Sequence, residues 1–275
     1  MLCPVVRQTL AQRERLEQIR AMLNRNGSGS IEEFVELLKV SRMTVHRDLH
    51  ELDALGVLRK VRGGATIERS TLYESDYHAR LRVKRLEKTA IARAATKLID
   101  PGMAVMLDSS TTVHTLALML PALRPLTVIS NSLSILNELA KADGIRLIGL
   151  GGDFIPHYWS FTGLAAESAA RQLRADIGFF SLAAIDGLAV CHPSSDAVRI
   201  NRALKDGSRK SVLLADASKF GRTALNVFGS VTDFDVVIVD SGVDAAHLDI
   251  LRDAGVEVIV STVVPEEQGM DPAFV

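Results

Sequence analysis

The sequence predicts an α/β chain in two parts: a small helical part ending in a β-hairpin, then a larger, mostly parallel α/β part. Three observations carry this. Residues 7–55 keep helical spacing, with Leu16, Ile19 and Leu23 in one segment, Ile31, Phe34, Val35 and Leu38 in a second, and Val45, Leu49 and Leu52 in a third. Residues 57–67 change period around Gly63 and Gly64, the mark of a short hairpin. From residue 104 onward, short apolar runs alternate with helical stretches, which implies a parallel sheet covered on both faces.

Composition is consistent with that division. The chain has 275 residues, enough for one large domain or two unequal ones, and 47% of them are apolar. The formal net charge of −1 hides an asymmetry: residues 1–70 carry +3 and residues 71–275 carry −4. Two cysteines, Cys3 and Cys191, make no disulfide framework and fit a reducing compartment. Residues 1–15 hold no apolar run of signal-peptide length, and no stretch reaches the roughly 18 apolar residues of a membrane span. The expectation is a soluble cytoplasmic protein with no membrane partner.

The first helix ends at Asn26-Gly27-Ser28-Gly29-Ser30, with Ser30 as cap for the second. Val40 and Ser41 make a tight turn, and Ser41 suits the N-cap of a third helix over 42–55. At 100° per residue, Val45, Leu49 and Leu52 share one face of it, and Met43, His46, Arg47 and His50 the opposite one. A turn followed by a short helix with an apolar inner and a basic outer face is the helix-turn-helix arrangement, which sets its second helix in the DNA major groove. Arg47 suits bidentate pairing with guanine. Arg42, Thr44 and His46 are further candidates for bases or phosphates, and Arg59, Lys60 and Arg62 of the hairpin suit flanking phosphates. His46 and His50 are also spaced for a metal, but no third ligand is nearby, so neither metal nor cofactor is expected.

Residues 67–87 are rich in charge and read as a linker running into a helix. Beyond them, strands are expected at 104–107, 126–129, 145–150, 177–182, 211–215, 236–239 and 256–260, with helices at 112–120, 133–141, 164–173 and 245–254. Polar clusters follow four of the strands: Asp108, Ser109, Ser110, Thr111 and Thr112; Ser130, Asn131 and Ser132; Gly151, Gly152 and Asp153; Asp216, Ser218 and Lys219. Taken singly, each reads as a cap or turn. Together they describe an anion pocket at the carboxyl ends of the strands, where open α/β sheets bind ligands. Tyr158 and Trp159 suit stacking on a ligand ring, though a packed surface pair is the plainer reading. Nucleotide-phosphate glycine loops and a GxSxG serine motif are absent, so no catalytic residue is assigned.

Residues 40–65 resemble the winged helix-turn-helix of DeoR-family transcriptional regulators, through Val40, Ser41, Thr44, Val45, Arg47, Asp48, Leu49, Leu52, Gly56, Arg62, Gly63, Gly64 and Ala65. His46 stands where that family usually has arginine. The likeness continues through Glu74, Tyr77, Arg80, Lys88, Ile91 and Ala92, and through the stretches LDSSTT, TVISNS, LGGD, AIDG and LADASKFGR. It implies a sensor domain related in fold to ribose-5-phosphate isomerase and CoA-transferase-like domains. It also implies contacts to a phosphorylated sugar from Asp108, Ser109, Thr111, Thr112, Asn131, Gly152 and Lys219. Ser110 replaces a family glycine, and Ala197 and Asn201 replace a glutamate and a lysine, which implies a different effector or altered affinity.

The domains expected are a DNA-binding head over 8–67, a linker over 68–87 and an effector-sensing domain over 88–262. The function expected is repression of carbohydrate-catabolism genes by an oligomer, a dimer or higher, that binds double-stranded operator DNA and responds to a phosphorylated sugar or polyol. The alternative is a sugar-phosphate isomerase or deaminase-like enzyme carrying a DNA-binding head, for which Asp108, Asp186 and Asp216 are the available bases.

Overall fold

The computed structural model describes residues 10–54, 58–66, 74 and 77–264, and divides the chain into compact units at Val83 and Lys84. Residues 55–57, Ile67 and, of the expected linker, residues 68–73, 75 and 76 lie outside the described residues.

In the first unit, α1 (Leu10–Asn26), α2 (Ile31–Leu38) and α3 (Arg42–Ala54) surround one core. It is built from Leu16, Ile19, Met22, Leu23, Ile31, Phe34, Val45, Leu49 and Leu52, with Leu58 and Ala65 from the hairpin. The helical spacing read from the sequence is thus the spacing of buried side chains. The segment read only as a helix end and cap does more: Ser28–Ser30 is a strand, β1, pairing antiparallel with β3 (Gly64–Thr66), which also pairs with β2 (Arg59–Val61). Its composition, two serines around a glycine, carries no strand signal. Contact explains the glycines, because a Cβ on Gly64 would lie 2.1 Å from the Gly29 carbonyl oxygen. Ser30 still caps α2, exchanging hydrogen bonds with Glu33 in a capping box. A short helix α4 (Tyr77–Arg82) closes the described part of this unit.

The second unit begins with α5 (Arg85–Thr96), so the helix starts inside the stretch expected as linker. There follow β4 (Ala104–Leu107), α6 (Thr111–Ala117), β5 (Leu126–Ser130), α7 (Leu133–Leu139), β6 (Ile145–Gly149), β7 (Asp153–Ile155), β8 (Ser160–Thr162), α8 (Gly163–Arg171), β9 (Ala175–Phe180), β10 (Ala184–Asp186), β11 (Ala189–His192), α9 (Ser195–Asp206), β12 (Ser208–Ala215), β13 (Asn226–Ser230), β14 (Val236–Asp240), α10 (Ala245–Asp253) and β15 (Glu257–Ser261). Seven strands form one sheet in the order β15-β14-β12-β9-β4-β5-β6, every neighbour parallel. Alternate residues face opposite ways: Val105, Leu107, Ile177, Phe179, Val212 and Leu214 pack with α5, α6 and α7, while Met106, Phe180, Leu213 and Val237 pack with α8, α9 and α10. Burial of both faces explains why these strands read as unbroken apolar runs.

In the second unit, three features were not expected from the sequence. One is helix α9, whose apolar residues are interspersed with Arg199, Asn201 and Arg202. Another is the β7–β8 hairpin, and the last is the antiparallel sheet β10-β11-β13. Strand order reverses at β4: the chain first moves outward through β5 and β6, then returns to β9 on the other side. The helices change face there too, which makes the β4–β9 boundary the topological switch point.

Candidate functional site

The first unit offers one basic face. Along α3, Val45, Asp48, Leu49 and Leu52 are buried while Met43, His46, Arg47 and His50 are exposed, Met43 at 82%. Ser41 caps the helix, its hydroxyl accepting from the Thr44 N–H at 3.2 Å and lying 3.0 Å from Thr44 Oγ1. Arg42 is exposed and ion-paired with Glu32 of α2. Lys60 and Arg62 are exposed, and Arg59 is half-buried, its Nε without a hydrogen-bond partner among the described residues.

Sequence reasoning missed what fixes this helix. Fully buried Asp48 accepts two bonds from Arg15 of α1, from Nε at 2.7 Å and Nη2 at 3.0 Å. The bidentate pair locks α3 to α1 across 33 residues of sequence. Asp48 had been noted only as part of a motif; an acidic residue on the inner side of a basic helix was the available signal.

The second unit collects polar groups at the carboxyl edge of its sheet. Asp108, just after β4, is fully buried. It bridges the switch point, accepting from the Ser110 N–H at 2.9 Å and from the Ser181 N–H, beyond β9, at 2.7 Å. Burial raises its pKa to about 6, against the pull of the Ser110 and Ser181 hydrogen bonds and of nearby His192. Ser109 is half-buried. Ser110 caps α6 through the Val113 N–H, and Thr111 and Thr112 are buried in its first turn. A serine at position 110 therefore has local work to do as a cap.

Ser130 ties adjacent strand ends together: its hydroxyl donates to the Leu107 carbonyl at 2.9 Å and accepts from the Ser132 N–H at 3.1 Å. Asn131 is fully buried; its Nδ2 donates to the Phe161 carbonyl at 2.8 Å, while Oδ1 has no partner among the described residues. Gly151 and Gly152 are exposed. Glycine at 152 follows from its φ of +137° and from the Thr162 carbonyl oxygen, which a Cβ would approach to 2.4 Å. Asp216 caps the turn 217–219. Despite burial its pKa is lowered, chiefly by the Lys219 ammonium, then by Ser218 and by Lys88.

His192 carries no signal in the sequence, and Lys88 appears there only as part of a motif. Lys88 on α5 is 5% exposed and acts electrostatically on Asp216 and on His114 of α6. His192, on β11, accepts the Ser194 N–H at Nδ1, which leaves its ring proton on Nε2 when neutral. Its ring lies 5.3 Å from that of Tyr158, while Trp159 meets Phe154 edge-on at 5.4 Å. The aromatic pair thus packs on the protein itself. Two shallow surface depressions, one beside Gly102, Thr127 and Arg146 and one beside Arg174 and Arg209, lie at the opposite, amino edge of the sheet. Among the described residues no group of three or more His, Cys, Asp or Glu is placed to hold a metal, and no helix is long and apolar enough to cross a membrane.

Both halves match known family models: the DeoR-like helix-turn-helix domain over residues 15–71 and the DeoR C-terminal sensor domain over 83–241. The chain belongs to the DeoR family of transcriptional regulators. Among its relatives is a putative aga operon transcriptional repressor of Escherichia coli O157:H7, 33% identical over 250 residues, covering 90% of this chain and 93% of that one. Transcriptional repressor AccR of Agrobacterium fabrum is 35% identical, covering 78% and 83%. The glycerol-3-phosphate regulon repressor of Escherichia coli K12 is 30% identical, covering 89% and 97%. Ribose 5-phosphate isomerase A of Methanocaldococcus jannaschii aligns with a TM-score of 0.37 at 18% identity, covering 50% and 54%, too loosely to carry an argument. As a DeoR-family protein, the chain joins a DNA-binding helix-turn-helix to a sensor domain.

Proposed function

We propose that this DeoR-family regulator represses carbohydrate-catabolism genes and is tuned by a phosphorylated sugar or polyol. The carrying observation is the split character of α3, whose buried Val45, Leu49 and Leu52 leave His46 and Arg47 on an open basic face. Arg47 reads guanine; Ser41, Arg42, Thr44 and His46 take bases or phosphates; Arg59, Lys60 and Arg62 hold the flanking backbone. Arg42 exchanges its exposed pairing with Glu32 for a phosphate at small cost.

The effector sits at the carboxyl edge of the sheet. Lys219 meets its anionic group, with Ser109, Thr111 and Thr112 as further donors. Gly151 and Gly152 offer backbone, and Asn131 Oδ1 supplies an acceptor for a sugar hydroxyl. Asp108, Ser110, Ser130 and Asp216 shape the edge through the internal hydrogen bonds described above. A homo-oligomer in the cytoplasm fits this reading, because one reading helix alone buries too little for strong specific binding. Anisotropy titration of DNA from beside its own gene, with and without sugar phosphates, tests the proposal. Salt-dependent specific binding that a sugar phosphate shifts is expected; no preference for that DNA over random sequence overturns it.

A second reading, catalysis on a sugar phosphate, rests on Asp108, a buried carboxyl with a pKa of about 6, within the useful range for a general base. Both its oxygens already accept backbone N–H bonds, which favours a structural role. Incubation with a sugar-phosphate panel, followed by mass spectrometry and chromatography of isomers, distinguishes the two: turnover establishes an enzyme, unchanged substrates a sensor.

A further inference from the structure

We infer that Met43, on the outer face of α3, is a base-reading residue that packs against the C5-methyl group of a thymine in the major groove. The inference rests on the DNA-reading role given above to Arg47 and adds an apolar contact to it. Met43 shares the exposed face of His46, Arg47 and His50, yet none of the polar contacts assigned to that face employs it.

Exposure comes first. Met43 is 82% exposed, the most exposed large apolar side chain among the described residues of this unit, where Leu37 and Val61 stand at 43% and 38%. It adds nothing to the core: Val45, Leu49 and Leu52 are buried on the other side of the helix, and Met43 is not among the side chains packed with them. Its position is fixed as well as open. Ser41 caps the first turn of α3, Arg42 pairs with Glu32 of α2, and Asp48 is held by Arg15 of α1, so the backbone that carries Met43 is anchored on both sides of it. A lone exposed methionine on an ordinary surface needs no explanation. Met43 is instead the second residue of the helix that enters the groove, and the early residues of such a helix meet base edges.

Chemistry then picks the base. Methionine has no side-chain hydrogen to donate and only a weak sulfur acceptor, so the polar edges of guanine, adenine and cytosine and the phosphate oxygens offer it little. The major groove displays one apolar feature, the thymine C5-methyl group. An unbranched side chain with three rotatable bonds can reach that group and adapt to it. Spacing adds a second constraint. Met43 and Arg47 lie about 6 Å apart along the helix axis, at about 1.5 Å per residue, and stacked base pairs are about 3.4 Å apart. The thymine read by Met43 therefore lies within about two base pairs of the guanine read by Arg47.

The test uses the full chain and a DNA fragment from beside its own gene, made once with thymine and once with uracil, which lacks only the methyl group. Affinity is measured by anisotropy at one salt concentration for the wild type and Met43→Ala. The wild type should prefer thymine DNA over uracil DNA by about fourfold more, per reading helix, than Met43→Ala does, the worth of one buried methyl group. Thymine contacts made by other side chains, and any change that uracil makes to the duplex itself, are common to both proteins and drop out of the ratio. The free proteins should melt alike, because the side chain is exposed and alanine favours helix. Equal thymine preference in the two proteins overturns the inference. In that case a Met43→Ala weaker on both DNAs alike places Met43 against the DNA backbone, and one as tight as the wild type leaves it without a DNA contact; either way a wild type that still prefers this DNA to random sequence keeps the reading face standing. A wild type without that preference overturns the reading face itself, and the inference with it.

Discussion

The two units handle negative charge in opposite ways. The helix-turn-helix holds its basic side chains outside: His46, Arg47, Lys60 and Arg62 are exposed, and the core beneath them is apolar apart from the Arg15–Asp48 pair. The sensor holds its ionic groups inside: Asp108, Asp216 and Lys88 are each 5% exposed or less. A long polyanion is met by many exposed charges that salt screens, whereas a small ligand needs a few desolvated groups in fixed positions. One chain carries both solutions, so substitutions in each should fail differently.

The sharpest break in the comparison is at Asp48. Asp48→Ala leaves Arg15 without its bidentate partner and should cost the head about 3–5 kcal/mol, the usual result of halving a buried pair. Calorimetry of the full chain would show the head transition fall while the sensor transition stays; a common shift of both would mean the units do not melt separately.

Acid should sharpen the contrast next. Burial and the neighbouring Lys88 lower the pKa of His114 to about 4, so the stability it contributes is complete above the ordinary value of 6.5 and is lost as pH falls toward 4. Asp108 runs the other way: raised from 3.8 to about 6 by burial, its ionisation costs stability as pH rises through that window. Each is worth about 3 kcal/mol, so the two slopes nearly cancel between pH 4 and 6. His114→Gln removes one slope, and the variant should gain about that much on the wild type as pH drops from 7 to 4. Denaturant midpoints that stay parallel across this range would contradict it.

Smaller effects are expected on the DNA-reading face. Arg47→Ala should weaken specific DNA binding by about 1–3 kcal/mol, with no change in melting, since the side chain is exposed. Ser41→Ala, which removes the α3 cap, should cost about 1 kcal/mol of head stability, with DNA affinity falling in step; affinity lost without stability would make Ser41 a direct DNA contact.

The same contrast explains what could be read from the sequence. The three helices of the head follow from local spacing, because Leu16, Ile19 and Leu23 or Val45, Leu49 and Leu52 are buried for reasons visible within two turns. The inner strands of the parallel sheet were legible as apolar runs, since burial on both faces leaves no alternation to break them. Strand β1 was not, because Ser28–Ser30 owes its conformation to Gly64 and Thr66 far along the chain. In the sensor, the clusters at the strand ends were visible but their bonding was not. The Asp108–Ser181 bond spans 73 residues and depends on β4 lying beside β9. Lys88 stands in the sequence only as part of a motif, because nothing in a helical segment marks which lysine will be covered.

The central claim is that reading and sensing are separate tasks of separate surfaces. The most direct measurement puts Arg47→Ala and Lys219→Ala through the same two titrations, DNA from beside the gene by anisotropy and a sugar-phosphate effector by calorimetry. Arg47→Ala should bind the DNA more weakly and keep the effector, and Lys219→Ala should keep the DNA and lose the effector. If either variant loses both, or Lys219→Ala still binds the effector as the wild type does, the division of labour proposed for the two units is wrong.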